Sequence, residues 1–381
     1  MKNKLHENRT FGDEVLQSSI EEKIDFFSNQ RIKHANLSEA YDDLLIKAEP
    51  VGGVEFIQLV GSTGAGKTRA AKKFAKGKLE ENKTYMQENP EVVPVVYVEC
   101  PASVGDRFPW QPLFKNILKT GGELLLDRGN YVLDYSEGVS QKEISRILLK
   151  DNSIPDLAEV VQGFLKKRKV QYLIIDEAQH IIDACRTPKE AFRCMEMLKS
   201  IATLSGCIIV LVGTYRLLRF GEISAQLGRR SEIIELRPYQ RGSVAELKNF
   251  GEALDALLQR YPTAFADIIF EKVEDIHLAC CGCIGILKDW LTKTLYRTLK
   301  SGKSYVTFKD LMANRMDPRE LRQVAKEIRM GRDYFCRVSM LEVEEMLLGD
   351  KTKVVPANDS KGVQRKLERD EAGGADYDGC V

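Results

Sequence analysis

Five short apolar runs punctuate the first two-thirds of the chain: Glu55–Val60, Val95–Glu99, Gln171–Ile175, Cys207–Val212 and Ser231–Leu236. Their hydrophobic character is nearly continuous rather than alternating, which is how strands buried on both faces of a parallel sheet read. Helical spacing fills the intervals. From Asp156 to Lys169 it sets Leu157, Val160, Val161, Phe164 and Leu165 along one face. A second helix is expected to open with Thr187 as N-cap and Pro188 at its first helical position, and to run through Phe192, Met195, Leu198 and Ile201 at helical spacing. The alternation predicts an α/β fold, a five-stranded parallel sheet flanked by helices.

Past Pro238 the strand signal stops. Residues 239–301 read as helices alone and predict a C-terminal helical lid, and 302–349 predict two or three more helices, with "TFKDL" as a capped start. From about 350 to 381 the chain is polar and glycine-rich and cannot bury enough apolar surface to offset its ordering entropy, so a flexible tail is expected. The expected organisation is therefore a helical lead-in over 1–50, a sheet core over 51–238, a lid over 239–301, C-terminal helices over 302–349 and the tail.

Composition narrows the classes. A net charge of +1 over 381 residues excludes a globally basic nucleic-acid coat, so any DNA contact must be a local patch. No run approaches the ~20 apolar residues of a membrane helix, and the N-terminus lacks a secretory apolar core, so no membrane partner and a cytoplasmic location are expected. The nine cysteines include one cluster, Cys280-Cys281-x-Cys283, in what reads as an apolar helical pattern. It lacks paired zinc-ligand spacing, so buried structural thiols are expected there.

The candidate chemistry starts at Gly61-Ser62-Thr63-Gly64-Ala65-Gly66-Lys67-Thr68, a full G-x4-G-K-[ST] with an apolar strand before it and a helical pattern after it. Such a loop curls so that its N–H groups face phosphate, and the following helix adds the positive end of its dipole. Lys67 is expected to reach the β and γ phosphates of ATP, and the Thr68 hydroxyl to hold Mg2+. At the end of the third run stand Asp176, placed for the Mg2+ shell, and Glu177, placed as general base toward water. The glutamate favours hydrolysis over a purely binding switch. Thr214 ends the fourth run and is a candidate to orient the water or touch the terminal phosphate. Arg229 and Arg230 precede the fifth and suit a finger offered to a neighbouring subunit's nucleotide. The cationic runs Lys166–Lys169 and Arg69–Lys78 read as solvated helix charge, and Arg107, within Pro101–Trp110, is a weaker candidate for DNA.

Together "VGSTGAGKT", "YLIIDEAQHI", "VLVGT", "LGRR…IIELRPY" and the upstream "FFSNQRIKHANLSEAYDDLL" resemble the AAA+ ATPases, and within them the TniB/TnsC group that regulates Tn7-like and Mu-like transposition. The resemblance spans about residues 22–300. It implies an AAA+ P-loop NTPase of slow, regulatory turnover in a bacterial, DNA-associated setting. Its implied partners are duplex DNA, further copies of itself in a ring or helical filament, a transposase and a target selector. In the lid, Gly285 stands where many AAA+ proteins carry a nucleotide-sensing arginine, which leaves Lys288 or no residue for that role. A replication initiator or helicase loader, and a signalling NTPase acting without DNA, stay open as alternatives.

Overall fold

A computed structural model describes residues 3–4, 8–50, 53–103, 107–126, 153–223, 230–266 and 268–335, together with Glu344 and Leu347. The chain divides into two units, 1–335 and 336–381. Glu344 and Leu347, both helical and exposed, belong to the second. The tail expected over 350–381 lies outside the described residues.

The five apolar runs form one parallel sheet: β1 (Phe56–Val60), β2 (Val95–Glu99), β3 (Tyr172–Asp176), β4 (Ile208–Gly213) and β5 (Ser231–Glu235), in the order β2-β3-β4-β1-β5. Every residue of the three central strands β3, β4 and β1 is buried. The edge strand β5 keeps most positions half-exposed, and its sequence is accordingly mixed, Ser231-Glu232-Ile233-Ile234-Glu235. Each fully buried Leu, Ile or Val contributes roughly 1.5–3 kcal/mol, so the central positions dictate the sheet while the edge tolerates charge.

Helices cover both faces. On one side α2 (Ala35–Lys47) and α3 (Lys67–Glu81) bury Leu44 and Phe74 against Ile57, Ile174 and Val210. On the other lie α4 (Trp110–Leu126), α5 (Ile154–Lys167) and α7 (Pro188–Ser205), around Phe114, Phe164 and Leu198. A short helix α6 (Gln179–Asp183) follows β3. Thr187 caps α7 by accepting from the Glu190 N–H, with Pro188 in the first turn. Ala191, not Phe192, faces inward, and Phe192 is 42% exposed. The expected face was therefore one position out at that end of the helix.

The lid holds a second core. It comprises α8 (Val244–Leu258), α9 (Val273–Ala279) and α10 (Ile284–Lys300), joined by α11 (Phe308–Ala313) and α12 (Pro318–Phe335). α1 (Ile20–Asn29) also packs here: Phe27 is fully buried edge-on to Tyr261, at 4.9 Å between ring centroids. The lead-in is thus shared, α1 with the lid and α2 with the sheet. The lid is not helical throughout. Ala264–Ala266 pairs parallel with Tyr305–Val306 and antiparallel with Asn3–Lys4. Strands of two or three residues are too short to leave a period in the sequence. The cysteine cluster is a turn rather than part of a helix: Cys280 ends α9, Cys281 and Gly282 have positive φ, and Cys283 begins α10. Cys280 and Cys283 are buried thiols, and no metal-holding cluster occurs among the described residues. Thr307 caps α11 in a reciprocal box with Asp310, as "TFKDL" predicts.

Candidate active site

The phosphate loop links the C-terminal end of β1 to the first turn of α3. Gly66, at φ 106°, turns the chain into the helix through a conformation that L side chains rarely adopt. Ser62 and Lys67 are buried. The Lys67 ammonium donates to the loop's own Ser62 carbonyl at 2.8 Å. Burial lowers its pKa, and Glu177, then Glu327 and Asp176, pull it back up. Thr68 is half-buried at the start of α3.

Across from the loop, β3 delivers Asp176 and Glu177. Asp176 is buried, and its two carboxylate oxygens accept from Tyr97 OH at 2.5 Å and from the Glu177 N–H at 2.9 Å. Tyr97 comes from β2, next to β3, where Glu99 pairs with Asp176. Burial and this bond raise the Tyr97 pKa, so the phenol remains a donor. Glu177 sits at φ 54°, a left-handed conformation costly for a residue with a Cβ, of order 1–3 kcal/mol, and one that clusters at functional sites.

Gln179 fixes that glutamate. Its amide Nε2 donates to Glu177 Oε2 at 2.5 Å, and its Oε1 accepts from the Thr214 N–H at 3.2 Å. The side chain is buried and bridges the tips of β3 and β4. Nothing in the local sequence singles it out. A glutamine two residues beyond an Asp-Glu pair carries no motif of its own, and only the strand order reveals that it faces β4. The Thr214 hydroxyl is buried without a hydrogen-bond partner among the described residues. An orphaned hydroxyl beside a caged carboxylate, a buried lysine and a phosphate loop fits a triphosphate with Mg2+.

The lid closes on the loop from above. The Gly285 N–H donates to the Gly64 carbonyl at 2.9 Å, and the Cys283 thiol lies 3.2 Å from the Ser62 hydroxyl. A Cβ on Gly285 would meet that Gly64 oxygen at 2.3 Å, so glycine is required by close approach. Lys288, left open for the sensing role, ties two helices together here. Its ammonium donates to the carbonyls of Ser28 and Gln30 at 2.5 and 2.7 Å, which ties α10 to the end of α1.

Other expected residues lie elsewhere. Arg230 sits at the strand-start end of the sheet, opposite the loop, with its guanidinium on Glu55 at 2.5 Å. Arg229 is outside the described residues. Of the cationic runs, Lys73 stacks on Tyr41 at 3.5 Å, Lys78 pairs with Glu81 at 2.9 Å, and Lys169 donates to Tyr85. These are structural uses, and the buried Lys78 and Arg168 are not the solvated charge that the sequence suggested. Arg107 is exposed.

The position of β4 decides the class. It separates the phosphate-loop strand from the Asp-Glu strand and sets a polar tip between them, under a helical lid, and this is the AAA+ P-loop fold. Residues 52–220, a little under half of the chain, match a family described as an AAA domain. No curated protein matches the sequence. Among solved structures, the chain is similar to the Walker-type ATPase paby2304 of Pyrococcus abyssi, at 16% identity over 85% of this chain and 79% of that one, TM-score 0.46. It is also similar to the ORC2 protein of Aeropyrum pernix, at 14% identity over 78% and 73%, TM-score 0.44. A third similarity is to domain III of the replication initiation protein DnaA of Thermotoga maritima, at 17% identity over 76% and 95%, TM-score 0.40. Among the described residues no helix is long and apolar enough to cross a membrane.

Proposed function

We propose that this chain is an oligomeric AAA+ ATPase that assembles on duplex DNA with ATP bound and passes a chosen target to a transposase, hydrolysis timing its release. The observation that carries the hydrolytic half is the bridge of Gln179 between Glu177 and the Thr214 N–H, beside the phosphate loop. In this reading the loop N–H groups and Lys67 bind the phosphates, Thr68 and Asp176 hold Mg2+, and Glu177 takes the proton of the attacking water. The ion, when bound, neutralises charge that develops on the phosphate oxygens. Thr214 orients the water or the terminal phosphate through its free hydroxyl. Arg229 or Arg230 serves the site of the next subunit. The transposition half rests on the resemblance of the motif set and the 26–45 segment to the TniB/TnsC group.

For contact with DNA the outer face of α12 is favoured over Arg107. Arg322, Lys326 and Arg329 are exposed there at helical spacing.

Sedimentation with ATP and duplex DNA tests this reading. A large, ATP-dependent shift is expected, and Glu177→Gln should retain the assembly while stopping turnover. A protein that stays monomeric with both ligands rules the proposal out. Assembly with ATP but without DNA binding would leave the signalling alternative.

A further inference from the structure

α12 approaches the phosphate loop with a carboxylate. Glu327 Oε2 accepts both the backbone N–H and the hydroxyl of Thr63, each at 3.0 Å. The helix is pinned on both sides of this residue. Val324, one turn earlier, is buried in the lid core, and Gly331, one turn later, lies so close to the Tyr215 ring that a Cβ would meet it at 2.3 Å. Positions 324, 327 and 331 share one helix face. Glu327 is therefore an acid on the packed side of its helix, turned toward a loop built to hold anions. Its charge also reaches Lys67, the residue that serves the β/γ end of a nucleotide.

We propose that Glu327 is a specificity-determining residue of the nucleotide site, an internal anion at Thr63 that the terminal phosphate of ATP must displace and that ADP leaves in place. This rests on the reading of the loop as a nucleotide site. Two anions cannot share the Thr63 donors and the field of Lys67 without repulsion. ATP brings the extra phosphate to that end, and ADP does not. Displacement of Glu327 frees α12 from the loop, so the state of the nucleotide is relayed to the helix that also touches the turn after Thr214.

The test compares ATP and ADP affinities of the full chain with Mg2+ in the wild type and in Glu327→Gln, which keeps size and acceptor but removes charge. A charge-assisted hydrogen bond is worth about tenfold in affinity, so ATP should bind Glu327→Gln about tenfold tighter and ADP less than about threefold. Unchanged or weaker ATP binding, or equal tightening of both nucleotides, overturns the proposal. In the wild type, ATP should raise amide exchange over 318–335 more than ADP does. Equal exchange with the two nucleotides also overturns it, whatever the variant does. If the folded wild type binds neither nucleotide, the nucleotide-site reading is what fails, and the proposal falls with it.

Discussion

At the scale of single residues, the site is a set of polar atoms with one carboxylate held under constraint. Glu177 is kept in a left-handed backbone conformation and tied through Gln179 to the neighbouring strand. If Glu177 is the general base proposed above, it is effective only when aimed, so removing the tie should cost rate and not binding. Gln179→Ala is expected to lower kcat by about 10- to 100-fold with KM for ATP changed less than about twofold, since general-base catalysis as a whole contributes about 10²–10⁴. Steady-state kinetics with a folded variant checks this; a rise in KM alone would assign Gln179 to binding. The loop, Asp176 and Glu177 were legible in the sequence because their spacing and the strand before each are local. Gln179 and Glu327 were not. Their partners lie 35 and 264 residues away, and nothing in the local pattern announces the pairing.

Among the secondary-structure elements, the joint between lid and sheet is set by the first turn of α10. The Gly285 N–H on the Gly64 carbonyl is the contact, and only a hydrogen at Cα allows it. Gly285→Ala must push against backbone, not a flexible side-chain end, and overpacking of this kind costs about 1–3 kcal/mol. ATP affinity measured by titration should fall about tenfold, with the sheet intact by circular dichroism. Strands could be read to within one residue, because buried parallel strands are continuous apolar runs. The short Ala264–Ala266 strand and the turn at Cys280–Cys283 could not. The first is held by pairing with distant segments, and the second joins two apolar helices with no polar interruption.

Across the whole molecule, the lead-in runs between the two cores at His34. Its Nδ1 lies 3.1 Å from the hydroxyl of Tyr239, which begins the lid, and the Tyr239 carbonyl meets His277 Nε2 at 2.8 Å. Burial, then the charge of Arg69, lowers the His34 pKa from 6.5 to about 4. The unfolded chain therefore takes up a proton between about pH 6.5 and 4 that the folded one refuses. Stability present above pH 6.5 is lost as pH falls through that window, on the order of 3 kcal/mol for His34. His277, also lowered by burial, acts in the same sense. Urea unfolding at pH 7 and pH 4.5 should show a smaller acid loss for His34→Gln than for the wild type. Equal losses would place the acid sensitivity elsewhere. The run of helices after Pro238 was legible as a change of period. That the chain enters through the lid, with Phe27 inside it, was not, because a short amphipathic helix does not name the surface it covers.

The thiol of Cys283, set against Ser62, gives the molecule a chemical clock. Burial pushes its pKa up to about 12, so at neutral pH it is protonated and slow toward alkylating reagents. An event that lifts α10 from the loop strips the Ser62 side of its cover, while the lid core still packs against the other side. The labelling half-life of the Cys283 peptide, read by mass spectrometry, should then be long in the wild type and shorten in Gly285→Ala, with half-buried Cys281 as the internal comparison. Lid opening becomes a quantity timed in the unmodified protein, without an attached probe.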